Sequence, residues 1–298
     1  MGVQFWWFYD VIAVAVILVS IFLSVRKGLI KTIAALTGFV LSAVIAFSAG
    51  APIAELMYEQ SAKSSNIKKF DLTLESLDFV SDLGNYLETL GYNIRIDNNE
   101  LRQAFYDEDD REKKIYKYIN NINGKKVDEE SIFINKLHEG YAVVISNYIS
   151  KRMNAYSAEY AAEEVRDHPE MAYEFSELLD DPDTKRPAAK YLTDNFLKKP
   201  YITQTKLLAM VIIFALGAII TIAISVYAGR KNGPMGGFVE GAISGILGIA
   251  ISVTIIVFIA LMIRLYVVMG SNKMLFFNHE AIENTYVFKY FYEFISGL

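Results

Sequence analysis

Residues 241–263 read GAISGILGIAISVTIIVFIALMI, 23 consecutive positions without a charge. A helix needs about 20 mostly apolar residues to cross the hydrocarbon core of a bilayer, so this run spans one unaided. Glu240 stands immediately before it and Arg264 immediately after it. The full fourth span is expected over 237–268. Three further runs have the same character: 5–25, with Asp10 as its only charge, 29–49, with Lys31 near its start, and 207–228, with none. Runs this long and this free of charge argue against core helices of a large soluble protein.

These runs cluster at the two ends of a 298-residue chain that is 53% hydrophobic and has a positive mean hydropathy. Between them lies ordinary, charge-rich sequence. The expected fold is therefore all-α: a polytopic membrane protein with four transmembrane helices in two hairpins and a mainly helical insert domain. The expected division is 1–55 for the first hairpin, 56–203 for the insert, 204–270 for the second hairpin and 271–298 for an aromatic tail helix in the membrane interface. No basic segment precedes the first run and no small-residue cleavage site follows it, so the first helix is expected to be retained. Trp6 occupies the position where a myristoylation signal needs Ser or Thr.

Short loops set the orientation. Arg26, Lys27 and Lys31 mark the first turn, Arg230 and Lys231 the second, and no acid intervenes before Glu240. Both turns are expected in the cytoplasm by the positive-inside rule, leaving both termini and the insert outside. Lys198, Lys199 and Lys206 then lie on the non-cytoplasmic side, which long translocated segments tolerate.

From 51 to 206 there are 21 Lys and Arg against 29 Asp and Glu, a net of −8. That balance excludes a nucleic-acid surface, which needs clustered positive charge. Apolar residues at Leu72, Leu74, Leu77, Phe79, Val80, Leu83 and Leu87 form a helical stripe. A long helix is expected over 128–166, capped by Asp128 or Ser131, with Ile132, Ile134, Leu137, Tyr141, Val144, Ile145 and Tyr148 inward. Pro169 and Pro182 bracket a short helix over 170–179, and another is expected over 187–197. Residues 94–97 are the one candidate strand, and 120–126 read as a turn.

The chain has no cysteine, so neither a disulfide framework nor a cysteine-ligated metal is expected. His138, His168 and His279 lack a second ligand at metal spacing. The acid runs 107–110 and 180–183 lack the alternating ligands, central glycine and distal Glu of a calcium loop. No Walker loop occurs, and Gly233 and Gly236 follow no strand, which excludes a nucleotide fingerprint. No catalytic residue, cofactor or metal is expected, and no enzymatic activity.

The fourth helix instead carries a packing surface. Gly237, Gly241 and Gly245 recur every four residues beside Ser244 and Gly248, a smooth face for close helix approach within the chain or between copies. Intramembrane charges need partners or water. Asp10 and Arg264 lie at similar distances from the ends of their helices and are expected to pair. Glu240 is expected to meet Arg26, Lys27 or Lys31.

The order Asp10-Val-Ile, an apolar run, Val25-Arg-Lys-Gly-Leu-Ile-Lys-Thr-Ile and Gly38 resembles the opening of the bacterial colicin V production protein (CvpA) family. Gly236-Gly-Phe-Val-Glu-Gly-Ala-Ile-Ser-Gly-Ile-Leu is similar to that family's glycine-rich entry into its last membrane helix. Asn284-Thr-Tyr-Val-Phe-Lys-Tyr-Phe-Tyr-Glu-Phe is similar to its aromatic closing segment. The resemblance spans 5–55 and 205–295 and leaves the insert unmatched. It implies a link to production or export of the peptide toxin colicin V and to envelope function, and it supplies no catalytic residues.

Two functional classes follow. One is a non-enzymatic scaffold or accessory factor of the bacterial envelope, seated in the cytoplasmic membrane, whose insert meets an envelope protein. The other is an oligomeric channel or transporter subunit for peptides or ions, which wants polar residues along one membrane face. The third helix offers Thr221 and Ser225 for that purpose. The expected partners are the lipid bilayer, an envelope protein and a second copy of the chain, with no nucleic acid. A cysteine placed at Asn123 should react with an impermeant maleimide on intact cells, and one at Asn232 only after lysis; reversed labelling would invert the orientation.

Overall fold

Apolar side chains occupy almost every position of residues 6–27 and 29–57, and such a sequence closes its backbone hydrogen bonds within a helix when no water is at hand. The computed structural model describes residues 6–107, 109–231, 237–270 and 279–297. Among these residues the chain is all-helical, with no strand, and four helices are long and apolar enough to cross a membrane. They are α1 (Trp6–Lys27), α2 (Leu29–Met57), α11 (Lys198–Lys231) and α12 (Phe238–Met269). The protein is a membrane protein by these four helices.

The chain divides into two compact units, one of Met1–Met57 with Ile202–Leu298 and one of Tyr58–Tyr201. In the first unit α1 packs along α12, and α2 also packs on α12. The tail forms α13 (His279–Glu283) and α14 (Phe288–Ser296), of which α14 packs on α12 and α1. Tail residues 271–278, with the aromatic positions Phe276 and Phe277, lie outside the described residues.

The second unit contains α3 (Lys63–Leu74), α4 (Phe79–Glu88), α5 (Asn98–Phe105), α6 (Arg111–Asn123), α7 (Glu130–Ser150), α8 (Ala155–Asp167), α9 (Glu170–Leu179) and α10 (Arg186–Leu192). The π-helical segments Tyr58–Ala62 and Thr193–Leu197 flank them. The Tyr58 hydroxyl donates to the Thr193 carbonyl oxygen at 2.9 Å, and Lys63 pairs with Asp194 at 2.7 Å, so the two flanks are tied to each other.

Helix α9 occupies the expected bounds. The long helix expected over 128–166 is two helices, because Asn154 accepts a hydrogen bond from the Ser157 amide at 3.1 Å and caps a new start. Neither Asp128 nor Ser131 caps α7. The Asp128 carboxylate instead accepts from Lys136 at 2.8 Å and from the Tyr92 hydroxyl. The stripe of α7 begins at Phe133, with Ile132 exposed and Leu137, Tyr141, Val144, Ile145 and Tyr148 buried. The stripe expected over 72–87 breaks between α3 and α4, where Asp78 caps α4 through the Ser81 amide, and Leu72 faces outward.

Residues 94–97 form no strand. The Ile96 amide donates to Glu88 at 2.7 Å and the Asp97 amide to the Tyr118 hydroxyl at 2.8 Å. Side chains thus satisfy donors that a ladder would otherwise use.

The core of this unit is aromatic. Phe79, Phe105, Tyr141 and Phe175 are fully buried, with the Phe79 ring centroid 5.6–6.3 Å from the other three. Polar ties close its rim: the Tyr148 hydroxyl donates to Asp82 at 2.5 Å, and Arg102 reaches both Asp78 and Asp180. His138 meets Glu112 at 2.6 Å, a structural contact, and no cluster of potential metal ligands occurs among the described residues.

The His138 hydrogen bond holds the Glu112 carboxyl below its ordinary value of 4.5, and Arg166 does the same for Glu139. Depressed carboxyls bind fewer protons in the folded chain than in the unfolded one. Their contribution is therefore complete above about pH 4.5 and is lost as pH falls through the lowered values. Protection factors of α6–α8 amides in the full chain, each taken relative to the intrinsic exchange rate at the same pH, should fall on acidification below that point, and less steeply in Glu139→Gln. Asn154→Ala should cost about 1 kcal/mol and Phe175→Ala roughly 3–5 kcal/mol, both read from exchange protection of α7–α9.

Candidate functional site

Between α1 and α2 the chain reverses through the single residue Gly28, whose φ of +82° favours glycine. That reversal brings Lys27, at the end of α1, beside the start of α2. The first amides of α2 have no acceptor within their own helix and sit at its positive end. Glu240, in the first turn of α12, supplies one: the Leu29 amide donates to Glu240 Oε1 at 3.0 Å. Glu240 thus reaches the expected turn but through a backbone amide. It forms no ion pair with Arg26, Lys27 or Lys31 among the described residues.

The other intramembrane acid works the same way. Asp10 Oδ2 accepts from the Tyr286 amide at 2.7 Å, and Oδ1 from the Val287 and Phe288 amides at 2.9 and 3.0 Å. The expected Asp10–Arg264 pair is therefore replaced. Three amides at the start of α14 occupy the carboxylate, while Arg264 lies against Tyr292 on the same tail helix. Aromatic contacts continue the joint. Tyr9 stacks on Phe288 at 5.3 Å, Trp6 meets Tyr286 edge-on at 5.2 Å, and Phe47 meets Phe294 at 6.0 Å. Phe288, Tyr292 and Ile295 are buried, while Tyr286, Tyr290 and Phe294 are exposed.

The glycine face of α12 is used within the chain. A Cβ at Gly248 would lie 2.9 Å from the Ser20 carbonyl oxygen of α1, one at Gly245 3.5 Å from Val25, and one at Gly241 3.8 Å from Val25. Gly237, by contrast, faces nothing within 4 Å. A second small-residue seam joins α2 to α11, with Gly38 against Thr221, Gly217 against Ser42 and Gly50 against Met210. The signal for this seam is legible in α2, where Gly38, Ser42, Ala46, Gly50 and Ala54 recur every four residues.

Buried hydroxyls add a polar layer. Thr32 donates to the Gly28 carbonyl at 2.9 Å, Ser42 to Gly38 at 2.7 Å and Ser252 to Ile249 at 2.6 Å. Ser225 reaches the Lys31 carbonyl at 3.2 Å and so fastens α11 to α2. Below the Gly28 turn, a cavity of about 380 Å³ opens among α1, α2, α11 and α12, with Lys27 and Lys31 in its lining. Arg26 is elsewhere, over the Phe22 ring at 5.3 Å.

Residues 9–80 match the family described as Colicin V production protein. The match takes in α1 from Tyr9 onward with Asp10, the Arg26-Lys27-Gly28 turn, all of α2 with Gly38, and α3, and it ends in α4. It thus extends past the first hairpin into the insert. The rest of the chain, including the glycine-rich entry to α12 and the aromatic tail, is unmatched. Neither curated proteins nor solved structures gave a match.

If Asp10 holds α14, Asp10→Ala should speed exchange of the Tyr286, Val287 and Phe288 amides. Loss of a helix cap costs roughly 0.5–2 kcal/mol, so acceleration of about 2- to 30-fold is expected. Arg264→Gln should leave these amides protected. Its stability loss should add to that of Asp10→Ala in a double-mutant cycle, because the two side chains hold different parts of α14.

Proposed function

We propose that this protein is a non-enzymatic scaffold or accessory factor of the bacterial envelope that serves production or export of colicin V. It sits in the cytoplasmic membrane with the Gly28 turn in the cytoplasm and the insert outside, where an envelope protein binds the insert. The family match over 9–80 supports the toxin link, and the Arg26, Lys27 and Lys31 charges support the orientation.

The observation that carries the scaffold reading is how the membrane-spanning unit spends its polar groups. Thr32, Ser42, Ser225 and Ser252 donate to backbone carbonyls, while glycine seams bring α1 against α12 and α2 against α11. A transport pathway needs polar groups turned toward a lumen, whereas these hydroxyls are spent on backbone carbonyls: Ser225 and Thr32 tie neighbouring helices through the Lys31 and Ser24 carbonyls, and Ser42 and Ser252 bond within their own helices.

Purified full chain in liposomes should give no ion or peptide flux above that of empty vesicles. In a colicin V-producing host lacking the protein, the full chain should restore secreted toxin. A version with residues 58–201 replaced by a flexible linker should insert in the membrane without restoring secretion. Flux that disappears in Ser225→Ala would overturn the scaffold reading in favour of a channel.

A further inference from the structure

The cavity below the Gly28 turn has two chemically distinct ends. Along α1, Lys27, Ser24 and Ser20 follow one another at about one helical turn, and along α2 Lys31, Ala35 and Phe39 do the same. The lining therefore passes from two ammonium groups, through the hydroxyls of Ser24, Thr32 and Ser225, to an apolar arm. Phe39, Ile222, Ile251 and Ile255 line that arm. Its volume of about 380 Å³ falls within the range of small-ligand pockets.

Charge decides what fits. Neither lysine forms an ion pair among the described residues, and the sequence from 228 to 239 contains no acid. Glu240 is the acid at this end, and its Oε1 is held by the Leu29 amide. Two cations thus share one end of the pocket, where the apolar runs of α1 and α2 meet, without a compensating anion among the described residues. Basic pockets between membrane helices bind anionic headgroups on these terms. Apolar surface deeper in the same pocket asks for a chain attached to that anion.

We propose that this cavity binds one anionic phospholipid, its phosphate between Lys27 and Lys31 and one acyl chain along the arm that ends at Phe39, Ile251 and Ile255. The lipid would bridge α1, α2, α11 and α12, all four of which line the cavity. This assignment does not depend on the scaffold reading.

The test is a titration of the purified full chain in neutral detergent, followed by native mass spectrometry. Phosphatidylglycerol, phosphatidylcholine with the same acyl chains, and inorganic phosphate are the three probes. Phosphatidylglycerol should bind roughly tenfold more tightly than phosphatidylcholine, and each of Lys27→Gln and Lys31→Gln should weaken it about fivefold. Arg26→Gln should leave it unchanged. Ala35→Phe, which fills the arm and keeps both lysines, should also weaken it, so the proposal is tested even if the lysine variants fold poorly. Inorganic phosphate at millimolar concentration should not displace the lipid. Equal binding of both lipids, or full binding to the double lysine variant, would overturn the site. Displacement by phosphate, or full binding to Ala35→Phe, would overturn the acyl-chain assignment.

Discussion

A helix that ends in an apolar medium presents amides that neither water nor its own carbonyls can satisfy, and this cost governs the membrane-spanning unit. The chain meets it twice with a carboxylate from a distant helix. Glu240 of α12 accepts from the first residue of α2, and Asp10 of α1 accepts from three amides at the start of α14. Each contact stabilises two things together, since a carboxylate at the end of an apolar run needs donors as much as the helix start needs acceptors. The first joins the second hairpin to the first, and the second fastens the tail to the amino-terminal helix.

Close helix approach makes such capping geometrically available. Lipid chains are as apolar as leucine, so membrane helices are held by packing and hydrogen bonds rather than by expulsion from water. Gly248 admits the Ser20 backbone of α1, and Gly38 and Gly217 admit Thr221 and Ser42 across the α2–α11 seam. With α1 drawn onto α12, Glu240 can reach the Leu29 amide. The same turn leaves Lys27 and Lys31 beside a cavity that the helices do not fill.

The second unit follows the physics of a water-soluble domain. It has no disulfide to stabilise it and relies on the buried aromatic cluster of Phe79, Phe105, Tyr141 and Phe175, with polar ties at the rim. The starts of α4, α5 and α8 are capped locally, by Asp78, Asp97 and Asn154. The membrane-spanning unit uses remote carboxylates for Leu29 and for residues 286–288, and at α14 the Thr285 hydroxyl adds a local acceptor for the Lys289 amide at 2.8 Å.

Apolar length alone determined the four membrane helices, because covering the hydrocarbon core sets a threshold that runs of 20 or more residues pass without reference to other contacts. The helical character of the insert, the α9 bounds set between Pro169 and Pro182, and the glycine face of α12 were legible for similarly local reasons. The split at Asn154 was not, since its local cap interrupts a run whose apolar spacing continues on both sides, and neither was the 94–97 segment, whose amides are satisfied by Glu88 and Tyr118. The intramembrane charges mark the same boundary. Sequence places Asp10, Glu240 and Arg264 near helix ends, where each needs a partner, and opposite charge suggested side-chain pairs. Tertiary structure chose the partners: a carboxylate can be satisfied equally by a cation or by several amides, and only the folding of α14 onto α1 and α12 brings residues 286–288 to Asp10.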